Sequence, residues 1–148
     1  MFRPKKILVP TDFSSASERA ADEAMDIARK YRASLYLLHV IENDVLQCAI
    51  DYYLSPDEIE KLRAELVDSA RKRLDQEISR LRKKGRMAIH GDVKIGMPVE
   101  SIINEEEERK IDLAVVGAHA KNWFSRMFST RVPERLLRDS AVETLVVR

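Results

Sequence analysis

Five short apolar runs, each separated from the next by a longer polar or amphipathic stretch, limit this chain to few folds. Lys6 to Pro10, Ser34 to Ile41, Met87 to Ile95, Ile111 to Val116 and Thr144 to Arg148 read as strands. Ile7, Leu8 and Val9 are continuously apolar, as a strand buried on both faces requires. Met87 to Ile95 alternates instead, and so reads as an edge strand with one wetter face.

The segments between the strands carry helical spacing. Ser14 or Ser15 can cap a first helix, with Glu18 following, and Ala20, Ala21, Ala24, Ile27, Ala28 and Tyr31 form one apolar stripe. Ser55 and Pro56 open a long helix that runs to about Lys84 and ends at Gly85. Ile59, Leu62, Leu66, Ala70, Leu74, Ile78 and Leu81 face the core in that helix, and Arg71, Lys72 and Arg73 form a solvated face. A third helix starts at Gly96-Met97-Pro98 and runs through Lys110, burying Val99, Ile102 and Ile103 and exposing the acidic run Glu105 to Glu108. Arg131 to Arg138 reads as a short helix, and Glu42 to Leu54 as a long linker of mixed polarity.

A βαβαβαβαβ order implies a single α/β domain over residues 1–148, with a parallel sheet, helices on both faces and right-handed crossovers. Such sheets bind ligands beyond the carboxyl ends of their strands, at the topological switch point. Asp12, just past the first strand, and Gly117, just past the fourth, fall there.

Charge and composition remove other classes. A net charge of +1 gives no global field for nucleic acid or an anionic membrane. No apolar run approaches a membrane span, and Met1-Phe2-Arg3-Pro4 opens no signal core, so the expected location is the cytoplasm. Cys48, the one cysteine, cannot form an internal disulfide. His39 and His119 lack a partner cluster at ligand spacing, so they read as structural and no metal site is expected. A phospho-receiver would need more acids at the first turn than Asp12, and hydride transfer would need G-x-G-x-x-G where Pro10-Thr11-Asp12-Phe13 stands.

Several stretches together carry a family resemblance. Lys6 to Ser14, Leu38-His39-Val40, Gly91-Asp92 to Gly96-Met97-Pro98, Asp112 to His119 and Thr144 to Arg148 resemble, in order and spacing, the universal stress protein family. The resemblance implies an adenine-nucleotide α-hydrolase-like fold, with a five-stranded parallel sheet in the order 3-2-1-4-5. It also implies homodimers through the last strand, with Thr144, Leu145, Val146, Val147 and Arg148 at the interface. One branch of the family binds ATP through G-x-x-G, nine residues, then G followed by Ser or Thr. Here Gly117 fits the first position, while Ala120, Thr130 and Arg131 occupy the others.

The candidate nucleotide-binding set is therefore Pro10, Thr11, Asp12, Val40, Gly117, His119, Ala120, Thr130, Arg131 and Val132. Asp12 either accepts from ribose or adenine, or is a helix N-terminal acid stabilised by the dipole. If position 120 needs left-handed backbone, alanine costs about 1–2 kcal/mol there, and β-branched Thr130 is worse. Arg131 can supply phosphate donors, fill the phosphate volume, or face solvent; Lys121 and Arg126 add charge nearby. Trp123, Phe124, Met127 and Phe128 pack the loop or form a lid or partner surface.

Two functions follow. One is a non-enzymatic stress-response dimer acting through protein partners, with no catalytic residue and no cofactor. The alternative is an ATP- or AMP-binding switch, or a slow ATPase with Mg, in the crevice between the first and fourth strands.

Overall fold

Backbone pairing follows the alternation. The computed structural model describes residues 1–118 and 132–148, the side chains at 45 and 49 excepted. Its elements are β1 (Lys6–Pro10), α1 (Ser15–Tyr31), β2 (Ser34–Glu42), α2 (Asn43–Asp51), α3 (Pro56–Arg82), β3 (Ile89–Gly96), α4 (Pro98–Arg109), β4 (Leu113–Gly117), α5 (Val132–Asp139) and β5 (Glu143–Val147). The strands form one parallel sheet in the order β3-β2-β1-β4-β5, the order that the family resemblance implied.

Successive residues of β1 serve opposite layers, which is why the run has no polar member. Ile7 and Val9 join Ala20, Ala24, Met25, Leu74, Ile78 and Leu81 under α1 and α3. Leu8 joins Leu38, Val40, Val99, Ile102 and Leu136 under α4 and α5. Ile7, Leu8 and Val9 are each 0% exposed, and burial of such a side chain contributes about 1.5–3 kcal/mol. The caps form as their residue types demand. Ser14 Oγ accepts from the Ser17 N–H at 3.2 Å, and Ser55 Oγ from the Glu58 N–H at 3.2 Å.

Four expectations need correction. Residues 42–54 are not a bare linker, because α2 occupies most of that stretch and buries Leu46. Along α3 only Ala70, Leu74, Ile78 and Leu81 are buried, while Ile59, Leu62 and Leu66 are half-buried. Length explains this: the 27 residues of α3 span about 40 Å, and the eight of β3 about 26 Å, so the helix overhangs its sheet. The acidic run is not all solvent-facing, since Glu105 and Glu106 are 1% and 2% exposed. Lys94 Nζ on β3 lies 2.7 Å from Glu105, and Ser140 Oγ donates to Glu106 at 2.6 Å. At the last strand, expected as a whole at a dimer interface, Val146 packs toward α4 and α5 and Val147 is already half-buried against the α1 layer. Leu145 remains 37% exposed. Among the described residues, no helix is long and apolar enough to cross a membrane.

Candidate functional site

The sheet parts at its centre. β1 pairs with β2 from Lys6↔Ser34 to Pro10↔Leu38, but with β4 only at Ile7↔Leu113 and Leu8↔Ala114. Beyond Leu8 the β1 and β4 tips diverge, which is the crevice expected at a switch point. Pro10, Thr11 and Asp12 stand on one side of it and Gly117 on the other. The Thr11 N–H donates to the Leu38 carbonyl at 2.8 Å, the last rung between the β1 end and β2. Val40 lies two residues past that rung, and Val132 is buried at the start of α5.

Most polar groups of the β1 turn are committed to each other. Buried Thr11 donates from Oγ1 to Ser17 Oγ (3.1 Å) and accepts from the Phe13 N–H (3.1 Å). Ser17 Oγ in turn donates to the Ser14 carbonyl at 2.9 Å. Asp12 Oδ1 accepts from the Ser14 N–H at 2.9 Å, a local turn that tightens the start of α1. Asp12 Oδ2 is buried and has no hydrogen-bond partner among the described residues. An unsatisfied buried acceptor costs about 1–3 kcal/mol, so a donor entering the crevice would gain that back.

His39 reaches the same turn from β2. Its Nδ1 lies 2.7 Å from the Thr11 carbonyl, and a carbonyl can only accept, so Nδ1 carries the proton. Burial pushes the imidazole pKa down; the Thr11 bond opposes this, Arg73 adds to it, and Asp12 opposes it. Phe13 sits at φ 63° with its ring 4.4 Å from His39, and the Arg73 guanidinium lies 4.4 Å from the other ring centre, that of Phe13. Arg73 is thus not merely solvated.

Gly117 has a packing reason. A Cβ there would lie 2.7 Å from the Ala16 carbonyl oxygen and 2.8 Å from its carbon, and the residue does not adopt positive φ. The glycine lets the β4 end press on the first turn of α1. His119, Ala120, Thr130 and Arg131 lie outside the described residues, as do Lys121, Trp123, Phe124, Arg126, Met127 and Phe128.

The sequence pattern of the universal stress protein family matches residues 4–148. This chain belongs to that family. Among its relatives is universal stress protein MJ0531 of Methanocaldococcus jannaschii, 27% identical over 144 residues that cover 97% of this chain and 82% of the relative. The solved structure of MJ0577, from the same archaeon, superposes with a TM-score of 0.79 at 24% identity, covering 99% of this chain and 96% of that one. A universal stress protein in complex with cAMP superposes with a TM-score of 0.71 at 21% identity, covering 99% and 98%.

Within this universal stress protein fold, two acids escaped sequence reasoning. Glu42 ends β2, and burial, followed by the charge of Asp44, pushes its carboxyl pKa up. Asp44 Oδ2 at the start of α2 is buried without a partner among the described residues. Reading residues 42–54 as a linker hid both; a search for acids at strand ends would have found Glu42. Among the described residues, no three His, Cys, Asp or Glu side chains gather as a metal site. His90 instead stacks on Tyr36 at 4.7 Å.

Proposed function

We propose that this chain is a cytoplasmic, non-enzymatic stress-response protein that acts as a homodimer through protein partners. In this reading its central crevice keeps the nucleoside half of an adenine-nucleotide site. The observation that carries the nucleoside half is Asp12 Oδ2, a buried acceptor with no donor among the described residues, beside a switch-point crevice. A ribose hydroxyl or adenine amino group would supply that donor. Val40 fits beside it, because its backbone lies past the last rung between β1 and β2 and can meet a base edge. A related protein holds cAMP, which supports an adenylate as the ligand class. The phosphate half is the weaker one, since Ala120, Thr130 and Arg131 replace elements of the glycine pattern. ATP, with or without Mg, should then gain little over AMP.

The dimer reading rests on β5, an open edge whose Leu145 is 37% exposed. Antiparallel pairing with a second copy would satisfy the edge backbone and cover that side chain.

Thermal unfolding with AMP, cAMP, ATP and Mg-ATP tests the crevice. A ligand at about 100 times its Kd adds about 2.7 kcal/mol. AMP, cAMP and ATP should shift Tm by similar amounts. No shift with AMP or cAMP at millimolar concentration overturns the nucleoside reading. A much larger shift with Mg-ATP overturns the steric argument about residues 120, 130 and 131, and replacing these with Gly, Gly and Ser should otherwise create that larger shift.

A further inference from the structure

The Asp12 turn is braced by an element that the strand order alone would not bring to it. Arg73, midway along α3, lays its guanidinium 4.4 Å from the Phe13 ring centre. The Phe13 ring in turn lies 4.4 Å from His39, with the two planes inclined by 31°. His39 closes the series through its Nδ1–H bond to the Thr11 carbonyl, 2.7 Å long. The residues on both sides of Asp12 are therefore gripped, Thr11 by its carbonyl and Phe13 by its ring.

Two observations say that this grip is built. Phe13 holds φ 63°, a left-handed conformation that bulky residues avoid and that persists only where the surroundings over-determine it. Arg80, which lines the same cavity of about 260 Å³ between α1 and α3, is neutralised by Glu77 and Asp22. Among the described residues Arg73 has no carboxylate partner and is placed by the aromatic ring instead. A planar guanidinium suits that stacking better than an ammonium does.

We propose that Arg73 is a positioning residue for the nucleoside contact: through Phe13 and His39 it locks the Asp12 turn and so keeps Oδ2 in one place for a ligand donor. The proposal rests on the adenylate reading of that crevice. A free turn of this kind can exchange its two carboxylate oxygens or open to water. With residues 11 and 13 both fixed, Oδ2 stays unsatisfied until a ligand donor arrives, and little ordering remains to be done on binding.

The test compares the wild-type chain with Arg73→Ala, Arg73→Lys and Phe13→Gly, the last removing the ring while easing the backbone. AMP affinity is read by calorimetry, and the His39 imidazole by NMR. Arg73→Ala should raise the AMP Kd about three- to ten-fold, with Arg73→Lys intermediate. It should also raise the His39 pKa, because the Arg73 charge that lowers it is gone, and should speed exchange of the Nδ1 proton. Phe13→Gly should weaken AMP binding and speed that exchange in the same way. A purely structural Arg73 would lower Tm and, beyond the charge effect on the His39 pKa, leave exchange of the Nδ1 proton where it is. Unchanged His39 signals in Arg73→Ala overturn the brace, whatever AMP does. A wild-type chain that binds no AMP overturns the crevice reading, and with it the nucleoside role, while faster Nδ1 proton exchange in both Arg73→Ala and Phe13→Gly would still establish the brace. An unchanged AMP Kd beside shifted His39 signals overturns the positioning role alone.

Discussion

The two open edges of the sheet are finished in opposite ways. At β3, Lys94 stands between Glu105 (2.7 Å) and Glu108 (3.0 Å), and Arg109 between Glu105 (3.3 Å) and Asp92 (3.9 Å). Arg71 Nη1 reaches over from α3 to donate to the Gly91 carbonyl at 2.8 Å. Charges and a borrowed guanidinium thus cover the β3 edge. At β5, Glu143 and Arg148 stand only at the ends of Thr144-Leu145-Val146-Val147. Edge charge deters pairing, and an apolar edge invites it. The contrast makes β5, rather than β3, the edge suited to the proposed partner.

The hardest test of that contrast is deletion of residues 144–148. It removes nearly all of a strand whose five registered pairs cover β4, so circular dichroism and gel filtration should show a monomer, an aggregate or loss of fold. A soluble, well-folded dimer would break the comparison. Next comes Lys94→Met, which leaves the 2%-exposed Glu105 side chain with Arg109 as its remaining cation. Losing one partner of a buried pair costs about 3–5 kcal/mol; the retained Arg109 and the part-exposed lysine reduce the expectation to about 2 kcal/mol, read by urea unfolding. Leu145→Lys puts a charge on the apolar edge. The dimer Kd should rise about tenfold or more by analytical ultracentrifugation, with monomer stability moving by less than about 0.5 kcal/mol. A similar rise from a charge added to β3 would erase the asymmetry.

The smallest effect concerns Glu106, which accepts from Ser140 just before β5. Burial pushes its pKa up, the Ser140 bond pulls it down, and Glu107 pushes it up, for a net rise. A raised carboxyl favours the fold while protonated, and loses that contribution as pH climbs through its folded pKa. Glu106→Gln should therefore gain on wild type in Tm between about pH 4 and about pH 7. A gap that narrows over this range would contradict the assigned direction.

The strands and most helices were legible because they depend on periodicity within one segment, whereas the order of the strands in the sheet came only from the family resemblance. Ile7, Leu8 and Val9 announced a doubly buried strand, and Ser14 and Ser55 announced their helices through capping chemistry. α2 escaped because its nine residues are short for a periodic signal and its N-cap, Glu42, makes no side-chain bond. Glu105 and Glu106 escaped because their neutralising partners, Lys94 and Ser140, come from other elements. At the crevice, Asp12 was legible from its place after the first strand. Its orphaned oxygen was not, because that depends on how Thr11, Phe13 and Ser14 close around it. Arg73 escaped for a related reason: its partner Phe13 is sixty residues away in the chain.

The contact between Gly117 and Ala16 leaves no slack between the end of the fourth strand and the front of the first helix. A shift of the chain at 117 toward that helix has to push the segment bearing Ser14 and Ser17, and the Ser17 hydroxyl is tied to Thr11. The two lips of the crevice are therefore mechanically one part, so that displacing one side also displaces the other.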